Sequence, residues 1–394
     1  MSAMDIIDFN KSVPLKEVKI FLGDYDGIQR YDRYKYEYSE KLIKAQQGAT
    51  WFPREISYSK DKTIVMSVLT SSYLEIYRLN LLFQTLADSL ANRFLDNVLS
   101  DMVTSPEWEA ILKWQAHFEL IHSESYSWNI REVFPDPEAF FTDGFENSNI
   151  RKRLDLERAT YKKLEEDTKS KWFDFLTPER ATKRKKKAIV KALLQQYILE
   201  NLRFMVSFLY TFKINSIHNQ ALQGSTNSIK LILNDEIIHT VIFANLINTL
   251  QLERSEGFTE IMKEMNFDQL ARDMFDEVIE GEMEWFKYLS SVQHINGFTD
   301  ESIREFLECL SWNALDKIGV HAPKLNKKEN DIVRFFNKNK KINGSKALAQ
   351  ETDLLSYNIG VLREDEFHDT ITMSPDDLQN ILNGGTFHVQ NKPE

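Results

Sequence analysis

The feature that most constrains this chain is a helical period of apolar residues that continues with few breaks from about residue 64 to about residue 322. No convincing strand alternation interrupts it. Glycine (13) and proline (9) are scarce for 394 residues, which favours long helices over sheets with many turns. The sequence therefore predicts an all-α protein. The predicted helical segments lie near 64–99, 106–131, 150–170, 183–214, 217–250, 258–291 and 300–318.

Charge and composition exclude several classes of protein. The net charge of −11 argues against a protein whose main task is to hold nucleic acid, and the basic run TKRKKK is read as a solvated helix start. Apolar runs such as FMVSFLYTF reach about half of the roughly 20 residues that span a bilayer. The N-terminus lacks the pattern of a secretory signal, and Cys309 is the single cysteine. We expect a cytoplasmic protein that binds neither nucleic acid nor membrane.

The chain divides by composition into three parts. Residues 1–50 are mixed and polar, and we expect an N-terminal arm there. Residues 51–340 hold the helical pattern and form one predicted domain. Residues 341–394 are polar throughout and predict a flexible C-terminal tail.

One motif, FELIHSESY, places three chemically active side chains along one helix face. Glu119 and His122 are three residues apart and point the same way, and Tyr126 lies about one turn further on. The segment LILNDEIIHT repeats the spacing with Glu236 and His239. One Glu-x-x-His is weak evidence. Two of them, with a carboxylate from each of two other helices, build a di-iron or dimanganese site in a four-helix bundle.

Two further acids can supply those carboxylates. Glu200 stands alone in the apolar run QQYILENLRFMVSFLYTF, with Phe204 and Phe208 on the same face, and Asp88 is flanked by apolar turns in LLFQTLADSLANRF. A buried unpaired carboxylate is costly, so each acid needs a partner. Four carboxylates would offset the charge of two divalent cations, and two imidazoles complete a ligand set suited to iron or manganese. The alternative is four unrelated surface acids on amphipathic helices.

Taken together, these motifs resemble the small, radical-generating subunit of class I ribonucleotide reductase. WFPREI, FQTLADS, FELIHSESY, LENLRFMVSF, LNDEIIH and ETDLLSY occur in the family's order over roughly residues 28–360. The resemblance implies a ferritin-like helical bundle with a dimetal-carboxylate core. It also implies an oxidoreductase function, that of a ribonucleoside-diphosphate reductase small subunit. Such a subunit activates oxygen, forms a stable tyrosyl radical and delivers it to a large subunit, which reduces ribonucleotides to deoxyribonucleotides.

The resemblance also assigns roles to individual residues. It implies that Tyr126 carries the radical. The metal ligands would be Asp88, Glu119 and His122 for one ion, and Glu200, Glu236 and His239 for the other. The apolar pocket around the radical would consist of Phe204, Phe208 and Ile232.

A second set of residues would carry the oxidising equivalent away from the centre. Trp51 and Asp235 match the pair that links the metal site toward the surface. Asp235 points about 100° round the helix from its neighbour Glu236, which suits an acceptor for the N–H of a ligand imidazole. In the tail, Tyr357 matches the tyrosine that relays the equivalent to the large subunit, and Glu351 would assist its proton movement.

The resemblance further implies two iron ions per chain, with manganese as the alternative, and a homodimer that docks on the large subunit through the tail. Family members usually end in an apolar or aromatic anchor, whereas this chain ends TFHVQNKPE. The docking segment is therefore expected in DDLQNIL (376–382), or at Phe387 with Val389.

Three other classes of protein share parts of this pattern. A different ferritin-like dimetal oxidase or oxygenase, acting on its own substrate, would keep the six ligands but needs neither Tyr126 nor Tyr357. A ferritin-like storage protein would need an assembling shell and a shorter chain. A purely structural helical bundle would bind no metal. The presence of both tyrosines favours the reductase subunit.

Overall fold

The computed structural model describes residue 7 and residues 11–24, 26–169 and 174–340. The prediction of an all-α protein is confirmed, since the described residues contain no strand beyond one isolated bridge between Phe21 and Val103. The helices are α1 (Glu37–Gly48), α2 (Ser59–Ser67), α3 (Ser71–Phe94), α4 (Pro106–Val133), α5 (Pro137–Glu146), α6 (Ser148–Thr168), α7 (Pro178–Ile198), α8 (Phe204–Ile217), α9 (Gln223–Leu252), α10 (Thr259–Glu264), α11 (Phe267–Val292), α12 (Asp300–Lys317) and α13 (Asp331–Lys340).

A group of long helices meets at the centre of the molecule. Helix α3 packs against α4 and α8, and α9 packs against α4, α7 and α8. Between α7 and α8 the chain passes through a five-residue π turn, Leu199–Arg203, which widens the helix locally. Helix α8 is buried on nearly every side from Phe204 to Phe212, as an apolar helix without a polar face must be. The Glu-x-x-His helices and the π turn therefore converge in the interior.

The remaining helices cover this centre. Helix α6 packs against α7 and α11, α11 packs against α12, and α1 lies on α4 and α9. Within the described part of the chain, no helix is both long and apolar enough to cross a membrane.

The described part of the N-terminal segment is held against the core by one buried carboxylate. Glu256, in the turn after α9, accepts hydrogen bonds from the Ile20 backbone N–H (2.7 Å) and the Tyr36 hydroxyl (2.6 Å). It also pairs with Lys35 at 2.5 Å. These contacts fix the segment that leads into α1, and α1 in turn lies on the helices that carry the Glu-x-x-His motifs.

Candidate metal centre

All six predicted ligand side chains meet in the interior. Asp88 comes from α3, and Glu200 comes from the π turn between α7 and α8. The two Glu-x-x-His motifs lie in the middle of α4 and α9. The relative exposure of all six residues is 0%. Each motif occupies one face of its helix, as the helical period predicted. The packing of α4 against α9 turns these two faces toward each other.

The ligand atoms form two groups that share two members. One group contains Asp88, Glu119, His122 and Glu236, and the other contains Glu119, Glu200, Glu236 and His239. Within each group the ligand atoms all lie within 4.8 Å of one another. The sequence-based assignment divides the ligands into two sets of three, whereas in the structure Glu119 and Glu236 belong to both groups.

Distances from the two imidazoles show how the shared carboxylates are placed. His122 Nδ1 lies 3.4 Å from Glu119 Oε2 and 3.4 Å from Glu236 Oε1. His239 Nδ1 lies 3.5 Å from Glu119 Oε1 and 3.2 Å from Glu236 Oε2. Each of these two carboxylates therefore turns one oxygen toward each histidine. The outer ligands are closer to one side each, with Asp88 Oδ2 at 3.8 Å from His122 Nδ1 and Glu200 Oε2 at 3.3 Å from His239 Nδ1.

The buried cluster has an excess of carboxylates, since four acids face two histidines. Burial raises the pKa of Asp88 well above its ordinary value, and the charge of Glu119 adds to the rise. Burial also raises the pKa of Glu200 to about 8, although His239 opposes the rise. For Glu236 burial acts in the same direction, but hydrogen bonds with both histidines lower its pKa to about 2. Buried carboxylates this close together are stable only with added protons or with cations.

The donor set fits a pair of divalent metal ions. Both oxygens of Asp88 and both oxygens of Glu119 accept no hydrogen bond from the described residues, although they are fully buried. Within the described ranges, the four carboxylates of the cluster form ion pairs with the two histidines. These carboxylates are those of Asp88, Glu119, Glu200 and Glu236. Four carboxylates and two imidazoles are the ligands expected for iron or manganese in a helical bundle.

Beside the cluster, one carboxylate connects a tryptophan to a ligand histidine. Asp235 Oδ2 accepts a hydrogen bond from Trp51 Nε1 at 2.8 Å and lies 3.0 Å from His122 Nε2. The Trp51 and His122 rings are stacked, with centroids 6.5 Å apart. Trp51 is 4% exposed, so this connection joins the cluster to a second buried ring. It also fixes the His122 ring, with Nδ1 directed at the carboxylates.

The predicted radical residue and its pocket are fully buried. Tyr126 is 1% exposed, and burial together with the nearby charge of Asp88 raises the pKa of its phenol well above the ordinary value. Phe204 and Phe208 are stacked with ring centroids 5.9 Å apart, and Ile232 is likewise 0% exposed.

Sequence reasoning missed two glutamines that contact a ligand. Gln115 Nε2 and Gln196 Nε2 donate to the same oxygen, Oε1 of Glu200, at 2.9 and 2.6 Å. Both are fully buried. A signal for them was present, since Gln196 lies four residues before Glu200, and Gln115 lies four residues before Glu119, so each shares a helix face with a ligand.

The tail predictions fall on residues that the structure does not describe. Glu351, Tyr357, segment 376–382, Phe387 and Val389 all lie outside the described ranges. Their roles stay predictions.

The fold and the cluster define a class: a helical bundle whose interior carboxylates and histidines suit two metal ions. The family model for "Ribonucleotide reductase, small chain" matches residues 29–329 of the chain. The chain therefore belongs to the small-subunit family of class I ribonucleotide reductase, an oxidoreductase in which a small and a large subunit work together. This membership disfavours the alternative of a dimetal oxidase acting on its own substrate.

Curated relatives agree with this assignment. The ribonucleoside-diphosphate reductase subunit beta of Buchnera aphidicola subsp. Baizongia pistaciae is 31% identical, over 80% of this chain and 84% of its own length. Subunit beta of the ribonucleoside-diphosphate reductase 1 of Escherichia coli O157:H7 is 29% identical over 94% of this chain and 97% of its own.

Two solved structures share the fold. The ribonucleotide reductase R2 subunit from Clostridium botulinum superposes with a TM-score of 0.68 at 23% identity, covering 82% of this chain and 94% of that one. The dimanganese(II)-NrdF of Streptococcus sanguinis gives a TM-score of 0.58 at 18% identity, covering 79% of this chain and 99% of that one. The prediction of a ferritin-like helical bundle is thereby confirmed.

Proposed function

We propose that this small subunit holds two iron ions per chain and that Tyr126 carries a stable radical, which the chain delivers to the large subunit. The observation that carries the proposal is the pair of ligand groups that share Glu119 and Glu236. Two groups with common carboxylates would hold two cations at short separation, and each shared carboxylate turns one oxygen toward each histidine. Asp88 with His122, and Glu200 with His239, complete the two sides.

When bound, a pair of reduced metal ions supplies oxygen activation and the removal of one electron from a nearby side chain. The protein positions that side chain and keeps water out. The phenol of Tyr126 is protonated because burial raises its pKa. Loss of an electron to give a neutral radical therefore requires loss of the hydroxyl proton as well. Asp88 is the carboxylate whose charge acts most strongly on this phenol, so we propose it as the base beside the radical.

The surroundings of Tyr126 would protect the radical from reduction. Phe204, Phe208 and Ile232 are each 0% exposed and carry no group that donates a proton. We propose that these three side chains border the phenol.

A path for the oxidising equivalent begins at the ligand His122. The hydrogen bonds His122–Asp235–Trp51 connect the cluster with the ring of Trp51, which is 4% exposed. We propose that the equivalent leaves through this path and that Tyr357, with Glu351, relays it to the large subunit. We also propose a cytoplasmic homodimer that docks through the tail, in segment 376–382 or at Phe387 with Val389.

The ligand set accepts either iron or manganese. The proposal of iron rests on the chain length and the position of the tail tyrosine, which resemble the iron-using members of the family. The Streptococcus sanguinis protein, which shares the fold, was solved as a dimanganese(II) protein, so the test must separate the two metals.

The deciding experiment is electron paramagnetic resonance on metal-free protein that is loaded with ferrous iron and then exposed to oxygen. We expect a tyrosyl radical in the parent protein and in Tyr210→Phe, a variant at another buried tyrosine. Tyr126→Phe should bind the same two ions and give no such signal. A radical that persists in Tyr126→Phe would refute the assignment of the residue. Metal uptake without a radical in any protein would refute iron as the working metal, and absence of uptake would refute the six-ligand centre.

A further inference from the structure

A chain of three side chains leads from a surface groove to one metal-binding carboxylate. Tyr161, on α6, donates its hydroxyl hydrogen bond to Gln196 Oε1. The amide of Gln196 donates from Nε2 to Glu200 Oε1 at 2.6 Å. Tyr161 is 4% exposed, while Gln196 and Glu200 are 0% exposed. The ring of Tyr161 lines an open groove of about 540 Å³ between α3 and α6.

The ring of Tyr161 is itself held in place. It stacks on Phe94 with a centroid distance of 4.1 Å and an angle of 11° between the ring planes. A stacked ring fixes the direction in which its hydroxyl points, and here the hydroxyl points at the Gln196 oxygen. The amide of Gln196 consequently has only one favourable orientation. If the amide were turned over, its oxygen would face Glu200, and with Glu200 ionised as a metal ligand two acceptors would be in contact.

The fixed amide decides which oxygen of Glu200 is available to metal. Two donors, Gln196 and Gln115, occupy the same oxygen, Oε1. The other oxygen, Oε2, accepts no hydrogen bond from the described residues and lies 3.3 Å from His239 Nδ1. Glu119 and Glu236, by contrast, direct both of their oxygens into the cluster.

We propose that Gln196, oriented by Tyr161, is a positioning residue that holds Glu200 as a ligand through Oε2 alone, on the His239 side of the centre. This proposal rests on the proposed dimetal centre and adds a constraint within it. Gln115 shares the task, but its own Oε1 has no partner in the described part of the chain, so its amide is less constrained. Phe94 and Tyr161 both line the groove between α3 and α6, so the residues that support Glu200 extend to the groove.

Removal of the support should act on one metal position and spare the other. Partners that orient a metal ligand typically contribute about 10–100-fold to metal affinity. In Gln196→Leu we expect the affinity of the His239-side ion to fall by at least about 10-fold, with the Asp88-side ion within about twofold of the parent. Tyr161→Phe keeps the ring stack and removes only the hydroxyl. It should weaken the same ion by a smaller factor, because the amide remains but is no longer oriented.

The experiment is a titration of the metal-free, full-length protein with Mn²⁺, in which the spectrum of the free ion counts the bound ions. A parallel titration with Co²⁺ reports ligand geometry through visible absorption. The matched control is Tyr197→Phe, which removes a buried hydroxyl on α7 that donates to the Ala314 carbonyl at 2.8 Å. We expect the Co²⁺ spectrum to change in Gln196→Leu and in Tyr161→Phe, and to match the parent in Tyr197→Phe.

The outcomes separate this inference from the proposed function. A parent protein that binds fewer than two ions would refute the dimetal centre, and the inference with it. A parent that binds two ions, with Gln196→Leu and Tyr161→Phe giving the parent's affinities and Co²⁺ spectrum, would refute the positioning role alone. Circular dichroism verifies the helical fold of each variant, and Tyr161→Phe decides the matter if Gln196→Leu does not fold.

Discussion

A buried ion-pair network beside the π turn should contribute strongly to the free energy of unfolding. Arg153 on α6 makes a two-pronged pair with Glu282 on α11, at 2.8 Å from Nε to Oε1 and 2.6 Å from Nη2 to Oε2. Its side chain is 1% exposed and that of Glu282 is 0% exposed. Arg153 also donates to the Arg203 carbonyl, at the end of the π turn, and to Ser207 Oγ. The charges balance, since Arg203 pairs with Glu157 at 2.6 Å.

A matched control lies one residue away on the same two helices. Lys152 pairs with Glu284 at 2.6 Å, but the two side chains are 70% and 60% exposed. Breaking a buried ion pair by removing one partner typically costs about 3–5 kcal/mol, because the other charge remains buried and uncompensated. An exposed pair contributes about 0–1 kcal/mol. Glu282 keeps one contact with Arg203 at 3.1 Å, so we expect Arg153→Met to cost about 3 kcal/mol, near the lower end of that range.

The measurement is urea unfolding of the metal-free proteins, followed by helical circular dichroism. Lys152→Met should lie within about 1 kcal/mol of the parent. The double variant Arg153→Met/Glu282→Gln restores the charge balance and keeps an oxygen that accepts from Arg203, so its cost should be smaller than that of the two single changes added together, by about 1–3 kcal/mol. Equal costs for Arg153→Met and Lys152→Met, or strict additivity in the double variant, would contradict the argument.

Three further outcomes follow from the structure. Burial raises the pKa of Glu107 to about 7 from 4.5, so the folded state loses stability as the pH rises between these values. Glu107→Gln should remove this loss. In urea unfolding its free energy of unfolding should exceed that of the parent by an amount that grows from about pH 5 to about pH 8 and reaches about 3 kcal/mol. A Cβ at Gly224 would lie 2.4 Å from the Ser57 backbone oxygen, so Gly224→Ala should lower stability by about 1–3 kcal/mol in the same assay, and a neutral result would contradict the close approach. Trp51→Phe removes the donor to Asp235 and should keep two bound metal ions while turnover with the large subunit falls by about 10-fold; unchanged turnover would exclude the proposed path.

The helical class was predictable because the apolar period is strong, but some helices were not. The segment 134–140 resembles a break in the sequence, although Pro137 opens α5 and the Asp136 side chain accepts from the Ala139 N–H, both of which are signals of a helix start. Helices α1 and α13 lie in stretches of polar composition. Their mean hydropathy is low, so they resemble solvated segments by composition, although residues such as Leu42 in α1 and Phe336 in α13 are buried.

The parts of the site that depend on spacing along a single helix were predictable from the sequence. Spacing along a helix places Glu119 and His122 on one face, and the same rule repeats at Glu236. The sharing of carboxylates between two groups depends on how helices cross, which no local pattern contains. The bond from Trp51 to Asp235 spans 184 residues, and without the family resemblance Trp51 is indistinguishable from a packed aromatic. The contact of Tyr161 with Gln196 depends on the packing of α6 against α7 in the same way.

The interior thus contains two clusters of buried charged groups, which differ in how their charge is balanced. In the network around Arg153, two guanidinium groups neutralise two carboxylates, and all four charges are supplied by the chain. In the metal centre, four carboxylates face only two imidazoles among the described residues. Burying that excess of negative charge costs stability unless protons or cations offset it. The Arg153 network contacts the end of the π turn from the α6 side and is balanced by the chain itself, whereas the metal centre needs added protons or metal ions to balance its charge.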